Sequence, residues 1–298
     1  MNYLITGGTG LIGTAICRQL LAAGHTVIVL SRNRSKVHRQ CGPAAIAITD
    51  LNEIGEHEQL DAVINLAGAP IADARWSDRR KAELEQSRVN LTENMVNWLG
   101  SRTEKPQCLI SGSAVGWYGN QGEAVLTEDS GFKDEYAHQL CQRWEQSALA
   151  AKTLGIRVCI VRTGLVLAAE GGFLKRMLLP FKLGLGGRIS AGNQFIPWIH
   201  LTDIANLFIF LSKQPDAKGV FNGTAPAPVT NAEFTRILAA SLHRPAVIPV
   251  PACMLKLLLG EMSELLLGSQ RAVPQKAQAS GFQFQYTDVS TALRDVLQ

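Results

Sequence analysis

Three glycines spaced three apart, Gly7, Gly10 and Gly13, stand in the run Thr6-Gly7-Gly8-Thr9-Gly10-Leu11-Ile12-Gly13. Backbone free of side chains at such positions can close around an anion. Gly7 turns the chain tightly, and Gly10 lets N–H groups approach a pyrophosphate with no Cβ in the way. Gly13 lets the next segment pack closely. With Thr9, Leu11 and Ile12 they form a candidate dinucleotide cradle; the plainer alternative is a tight turn. A second set, Ser113 and Tyr118, lies in Gly112-Ser113-Ala114-Val115-Gly116-Trp117-Tyr118-Gly119. There a serine hydroxyl polarises a carbonyl and a phenol gives a proton. A lining aromatic explains Tyr118 equally well.

Elements of the right kind flank the glycines. Asn2-Tyr3-Leu4-Ile5 is a short apolar strand, and residues 14–23 read as a helix ending at Gly24. Strand, glycine turn and helix give the motif its mechanism, because the helix N-terminus presents unpaired donors and a positive dipole end. The second strand, residues 25–30, ends at Ser31 and Arg32. An acidic residue there would take a free ribose 2′-hydroxyl. A small hydroxyl followed by Arg32, with Arg34 and Lys36 near, suits a 2′-phosphate, so NADP (NADPH) is expected. Asp50, after a third strand at 45–49, is either an adenine contact or a helix cap.

A fourth strand leaves through Leu66, Ala67 and Gly68, which remove bulk where a cofactor crosses the strand end. The helix expected over 77–101 carries Glu83 and Arg88. Arg88 either pairs with Glu83 or reaches a cofactor phosphate. Strands follow at 108–111 and 156–161, and Val166 is placed against the cofactor on the segment that leaves the sheet. A helix over 202–211 is capped by Thr202, one more strand of the main sheet spans 220–223, and a small strand is expected at 282–286. Basic residues Lys175, Arg176, Lys182 and Arg188 in a glycine-rich stretch either attract an anionic substrate or form a solvated surface.

The alternation predicts an α/β fold. A Rossmann-type doubly wound parallel sheet carries a smaller, mostly helical C-terminal substrate subdomain. Residues 1–165, completed by about 196–225, form the cofactor part; 166–195 and 226–298 form the substrate side. A hydrophobic content of 46% supports a sizeable core over 298 residues. The net charge of +4 is too small and scattered for a nucleic-acid partner. No C-x-x-C pair occurs among the six cysteines, and buried thiols rather than a metal site are expected. A first strand at the second residue leaves no room for a signal peptide, and no apolar run is long enough to span a membrane. A cytoplasmic monomer or homodimer acting on a small molecule, with no membrane partner, is the expectation.

These motifs resemble a family. The glycine run, Asn65-Leu66-Ala67-Gly68, Ser111-Gly112-Ser113, Arg162-Thr163-Gly164 and Pro197-Trp198-Ile199-His200-Leu201-Thr202-Asp203-Ile204-Ala205 occur in the order seen in extended short-chain dehydrogenases/reductases. Those are the NAD(P)-dependent epimerases and dehydratases. Residues 178–187 and the tail from Arg271 to Phe284 resemble an uncharacterised branch with a small C-terminal domain. The resemblance implies a Rossmann core, NADP, and oxidoreductase or epimerase chemistry on a carbonyl or sugar-type substrate. The chain departs from it at the Tyr-x-x-x-Lys pair. Tyr136 has Leu140 four residues on, and the register set by Glu145 puts Ala137 and Cys141 in the two slots. An unassisted tyrosine, with a pKa of roughly 10, is mostly neutral at pH 7. Two expectations follow: an enzyme with a relocated acid at Ser113 and Tyr118, aided by His138 or His200, or a catalytically inactive NADP(H)-binding sensor or partner-binding protein.

Overall fold

Seven short runs of β-branched and aliphatic residues pair in parallel in the computed structural model, which describes residues 1–298. They are β1 (Asn2–Thr6), β2 (Thr26–Leu30), β3 (Ile46–Ile48), β4 (Ala62–Asn65), β5 (Cys108–Ala114), β6 (Arg157–Thr163) and β7 (Gly219–Gly223). Their order across the sheet is β7-β6-β5-β4-β1-β2-β3. The order reverses between β1 and β4, the switch point at which open α/β sheets bind ligands beyond their carboxyl ends. The expected doubly wound sheet is present, and the 220–223 segment does complete it.

Both faces of the sheet are covered, so its strands are apolar on both sides. On one face Tyr3, Ile5, Val29 and Ile64 pack against α1 (Leu11–Ala22) and α7 (Leu201–Lys213), through Ile16, Leu20, Ile204 and Phe208. On the other, Leu4, Ile28, Val63 and Leu109 meet α4 (Leu91–Ser101) and α5 (Tyr136–Leu149), through Met95, Leu99 and Ala148. A separate core joins α6 (Gly172–Lys182), α8 (Asn231–Ser241) and α10 (Val289–Leu297) around Leu174, Trp198, Phe234 and Leu293. The smaller, helical C-terminal part thus has its own apolar centre.

Three local expectations are corrected. The helix expected over 77–101 is α3 (Asp78–Glu85) and α4 joined by one wider π-helical turn at Gln86–Asn90, which carries Arg88. Residues 282–286 form no strand, because the amides of Gln285 and Tyr286 donate to the buried Asp203 carboxylate at 2.8 and 2.9 Å. Helix α7 is capped by His200 rather than Thr202: Nδ1 of the ring accepts the Thr202 N–H at 3.1 Å.

That cap works only while Nδ1 is unprotonated. Burial lowers the His200 pKa below the usual histidine value, against the pull of Asp295, whose Oδ2 is 3.1 Å from Nε2. A folded pKa below the unfolded one means that the unfolded chain binds more protons between the two. His200 therefore contributes its full stability above about pH 6.5, and loses it as pH falls below that value. Urea midpoints should decline over that range in the native chain. The decline should be smaller in His200→Asn, which retains a capping acceptor that does not titrate.

Candidate functional site

The glycine run leaves β1 and enters α1 with no side chain capping the helix. The first helical bond runs from Thr14 N–H to Gly10 O, so the amides of Leu11, Ile12 and Gly13 point out of the helix end. Gly7 has φ +67°, and a Cβ there would lie 2.5 Å from the Leu66 carbonyl carbon. A Cβ at Gly13 would fall 2.3 Å from Gly7 O. Both positions demand glycine: the loop is pressed against the exit of β4 on one side and the helix on the other. Gly10 and Thr9 stand at the open rim. Three free amides, a helix dipole and no acidic residue in the first turn fit a pyrophosphate.

Beyond β2, Arg32 is exposed and makes no ion pair, beside Ser31, whose amide is tied to Ile48 O. Arg34 instead pairs with Glu53. Asp50 is a cap: its Oδ1 accepts from Asn52 N–H at 2.8 Å, and Glu53 returns to its backbone. A cavity beside it is lined by Leu30, Asp50, Leu51, Asn90 and Asn94. Its lining combines apolar side chains with the amides of Asn90 and Asn94.

At the switch point a buried polar chain locks the strand ends. Thr6 Oγ1 donates to Asn65 Oδ1 at 2.6 Å and accepts the amides of Leu66 and Ala67. Asn65 Nδ2 donates to Thr92 and Ser111. Glu83 lies away from this centre, exposed on α3 and paired with Arg80 at 2.7 Å, so its expected cofactor role is not supported. Arg88 lies at the centre. Its guanidinium donates to Ala69 O and Leu84 O, and only 3.0 Å separates its Cζ from where a Gly68 Cβ would be. Val166 pairs with Ile199 in a short ladder beside the sheet. It leads to Gly171 and Gly172, which border the Leu11 side chain.

The candidate acid–base groups rearrange the expectation most. Ser113 Oγ donates to Glu145 Oε1 at 2.7 Å. Arg162 grips the same carboxylate through two N–H groups, each at 2.9 Å. All three residues are nearly fully buried, and Arg162 lies 3.4 Å above the Trp117 ring. Burial opposes the guanidinium's charge, and Glu145 more than offsets it, leaving the Arg162 pKa raised. Tyr118 is a correction. It is fully buried, its hydroxyl bonds to Asn222 Oδ1 at 2.7 Å and Thr127 O at 3.0 Å, and burial raises its pKa. A phenol so engaged is a structural post, not a proton donor. Cys141, in the slot of the family lysine, has its thiol pushed up to about 11 by burial and is neutral at pH 7. His138 is tied to Trp117 O at 2.6 Å, and Trp198 is fully buried in the C-terminal core. The sequence named Glu145 only as a register mark and Arg162 only as part of a motif. Their pairing needed the juxtaposition of α5 with β6.

From the exit of β4 runs the 69–76 loop, clipped from several sides. Arg88 holds Ala69 O, Arg80 holds Pro70 O and Arg176 of α6 holds Ala72 O. Arg75 reaches Leu257 O on α9 (Ala252–Leu259).

Comparison with known proteins agrees with this geometry. Residues 3–222 match the NAD dependent epimerase/dehydratase family. The chain belongs to that family. Residues 250–296 also match a domain of unknown function, DUF1731. The mouse epimerase family protein SDR39U1 is 38% identical with all of both chains covered. The Bacillus subtilis epimerase family protein YfhF is 37% identical over all of this chain and 98% of its own. The human SDR39U1 structure, solved with NADPH, has a TM-score of 0.89 at 33% identity and covers 99% of each chain. A Thermotoga maritima UDP-glucose 4-epimerase shares the family fold alone, with a TM-score of 0.79 at 17% identity.

Within this family chain, Glu145 compensates a buried cation. Glu145→Leu should therefore destabilise the fold by about 3–5 kcal/mol, with Glu145→Leu/Arg162→Met recovering part of the loss. Urea unfolding of the two variants checks both outcomes.

Proposed function

We propose that the chain binds NADPH beyond the carboxyl ends of β1, β2 and β4 and works as an oxidoreductase or epimerase on a small carbonyl- or hydroxyl-bearing molecule. One observation carries the reading: three unpaired amides behind a glycine turn, at a helix end that nothing caps. The NADPH in the human relative supports the same cofactor here. Residues Gly7, Thr9, Gly10, Leu11, Ile12 and Gly13 hold the pyrophosphate, and Ser31 with Arg32 holds the 2′-phosphate. Leu66, Ala67, Gly68, Arg88 and Val166 border the nicotinamide half. Residues 1–165 with about 196–225 serve as the cofactor part, and 166–195 with 226–298 as the substrate side. The thiols of five buried cysteines suit a reducing, cytoplasmic setting.

When bound, the nicotinamide supplies or accepts hydride. The chain's own contribution is the orientation of a substrate oxygen by Ser113. Its hydroxyl proton is committed to the Glu145 carboxylate, so its lone pairs remain as acceptors. Ser113 Oγ accepts a hydrogen bond from a substrate hydroxyl and aligns it for hydride loss, while Glu145 stays ionised against Arg162. A second reading, NADP(H) binding without turnover, is favoured by one fact: Tyr118 is consumed in structural bonds while Ala137 and Cys141 fill the slots of the family pair.

Gly10→Val should abolish NADPH binding, measured by calorimetry, while circular dichroism remains native. Arg32→Glu should shift preference towards NADH. Unchanged affinity in the first variant removes the cradle, and an unshifted preference in the second removes Arg32 from the phosphate site. Ser113→Ala should retain NADPH affinity and lower turnover on a panel of carbonyl compounds and sugar nucleotides by about 100-fold. A panel with no turnover in the native chain, alongside tight NADPH binding, selects the second reading.

A further inference from the structure

We propose that the outer face of the C-terminal part, built from α6, the 183–188 and 245–250 segments and α9, docks on an anionic phospholipid surface. Eight of the twelve large hydrophobic side chains that the molecule exposes fall between residues 179 and 258. Leu179, Leu183 and Leu185 are 58–66% exposed, and Val247, Leu257 and Leu258 are 58–78% exposed. Helix α9 buries none of its residues, although five of its eight are Leu or Met.

The two stretches lie side by side. Val250 N–H donates to Arg188 O, Ser190 N–H donates to Val250 O, and Arg244 Nε donates to Lys182 O. A Cβ on Gly187 would strike the Ile248 backbone, and Gly184 borders Pro245. Both α6 and α9 are tied to the same 69–76 loop, which places them on one side of the molecule. Exposed apolar side chains gathered on one side in this way mark an interaction surface rather than scattered surface hydrophobics.

Charge selects the occupant. Residues 171–202 and 243–260 contain no Asp or Glu, yet carry Lys175, Arg176, Lys182, Arg188, Arg244 and Lys256. Of these only Arg176 forms an ion pair, with Asp73. Glu170 and Glu261 stand only at the edges, and Glu261 is paired to Lys81. Leucines set among unpaired cations match a bilayer interface, where apolar side chains enter the acyl boundary and cations meet lipid phosphates. A second copy fits worse. Its matching face would bring the same cations against themselves, and a two-fold contact needs self-complementary charge. No helix is long and apolar enough to cross a membrane, so the contact is peripheral.

The test uses the full chain and sedimentation with vesicles of phosphatidylcholine, with or without phosphatidylglycerol. Association with the anionic vesicles alone, weakening as salt rises, is expected. Lys182→Gln/Lys256→Gln should weaken it by about 30-fold. Leu257→Glu/Leu258→Glu should abolish it, with circular dichroism melts confirming that both variants remain folded. Three results would overturn the proposal: no association at low salt, equal association with neutral vesicles, or a dimer in light scattering that Leu257→Glu/Leu258→Glu dissociates.

Discussion

The buried pair between Glu145 and Arg162 is the contact on which the centre of this molecule depends. It spans α5 and β6, and through Ser113 it reaches β5, so one carboxylate ties three neighbouring elements together. Two charges removed from water are costly: two guanidinium N–H groups and a serine hydroxyl answer the carboxylate, and an aromatic face lies under the cation, whose Nη1 has no hydrogen-bond partner. The pair also decides which way Ser113 points its proton. A structural necessity and a chemical bias are thus the same interaction.

Nearby, the glycine loop owes its shape to crowding rather than to freedom. Gly7 and Gly13 sit where the backbones of β4, the loop and α1 come within a Cβ of each other. The Thr6 hydroxyl then fixes the β4 exit against β1 by accepting two amides. The space outside the loop stays open because the interior is filled by backbone. The amides of Leu11, Ile12 and Gly13 face outward because nothing inside remains for them to bond.

Much of the fold was legible in the chain, and the reasons are local. Apolar runs bounded by glycine and polar turns marked all seven strands of the sheet, and the strand–glycine–helix order of residues 2–23 marked the cradle. What escaped was what depends on side chains far apart in sequence. Asp203 collects amides from Gln285 and Tyr286, which erases a strand that alternation suggested. Asn222 claims the Tyr118 hydroxyl across 104 residues, which turns a candidate acid into a post. Arg88 bypasses Glu83 because Arg80 already holds that carboxylate three residues away, while Arg88 donates to the Ala69 and Leu84 carbonyls. Cys141 offers no substitute for a lysine because a thiol has no cationic form, and burial keeps it neutral.

The 69–76 loop has one more implication. Its carbonyls are held by guanidinium groups, which keep their charge at every pH a cell meets. Acidity therefore leaves these ties intact, and what competes with them is a rival acceptor for the same N–H groups. Two of its ties, from Arg176 and to Leu257, run to helices of the outer apolar face. The outer apolar face and the exit of β4 are thus joined through a single short segment, so the two cannot be altered wholly independently.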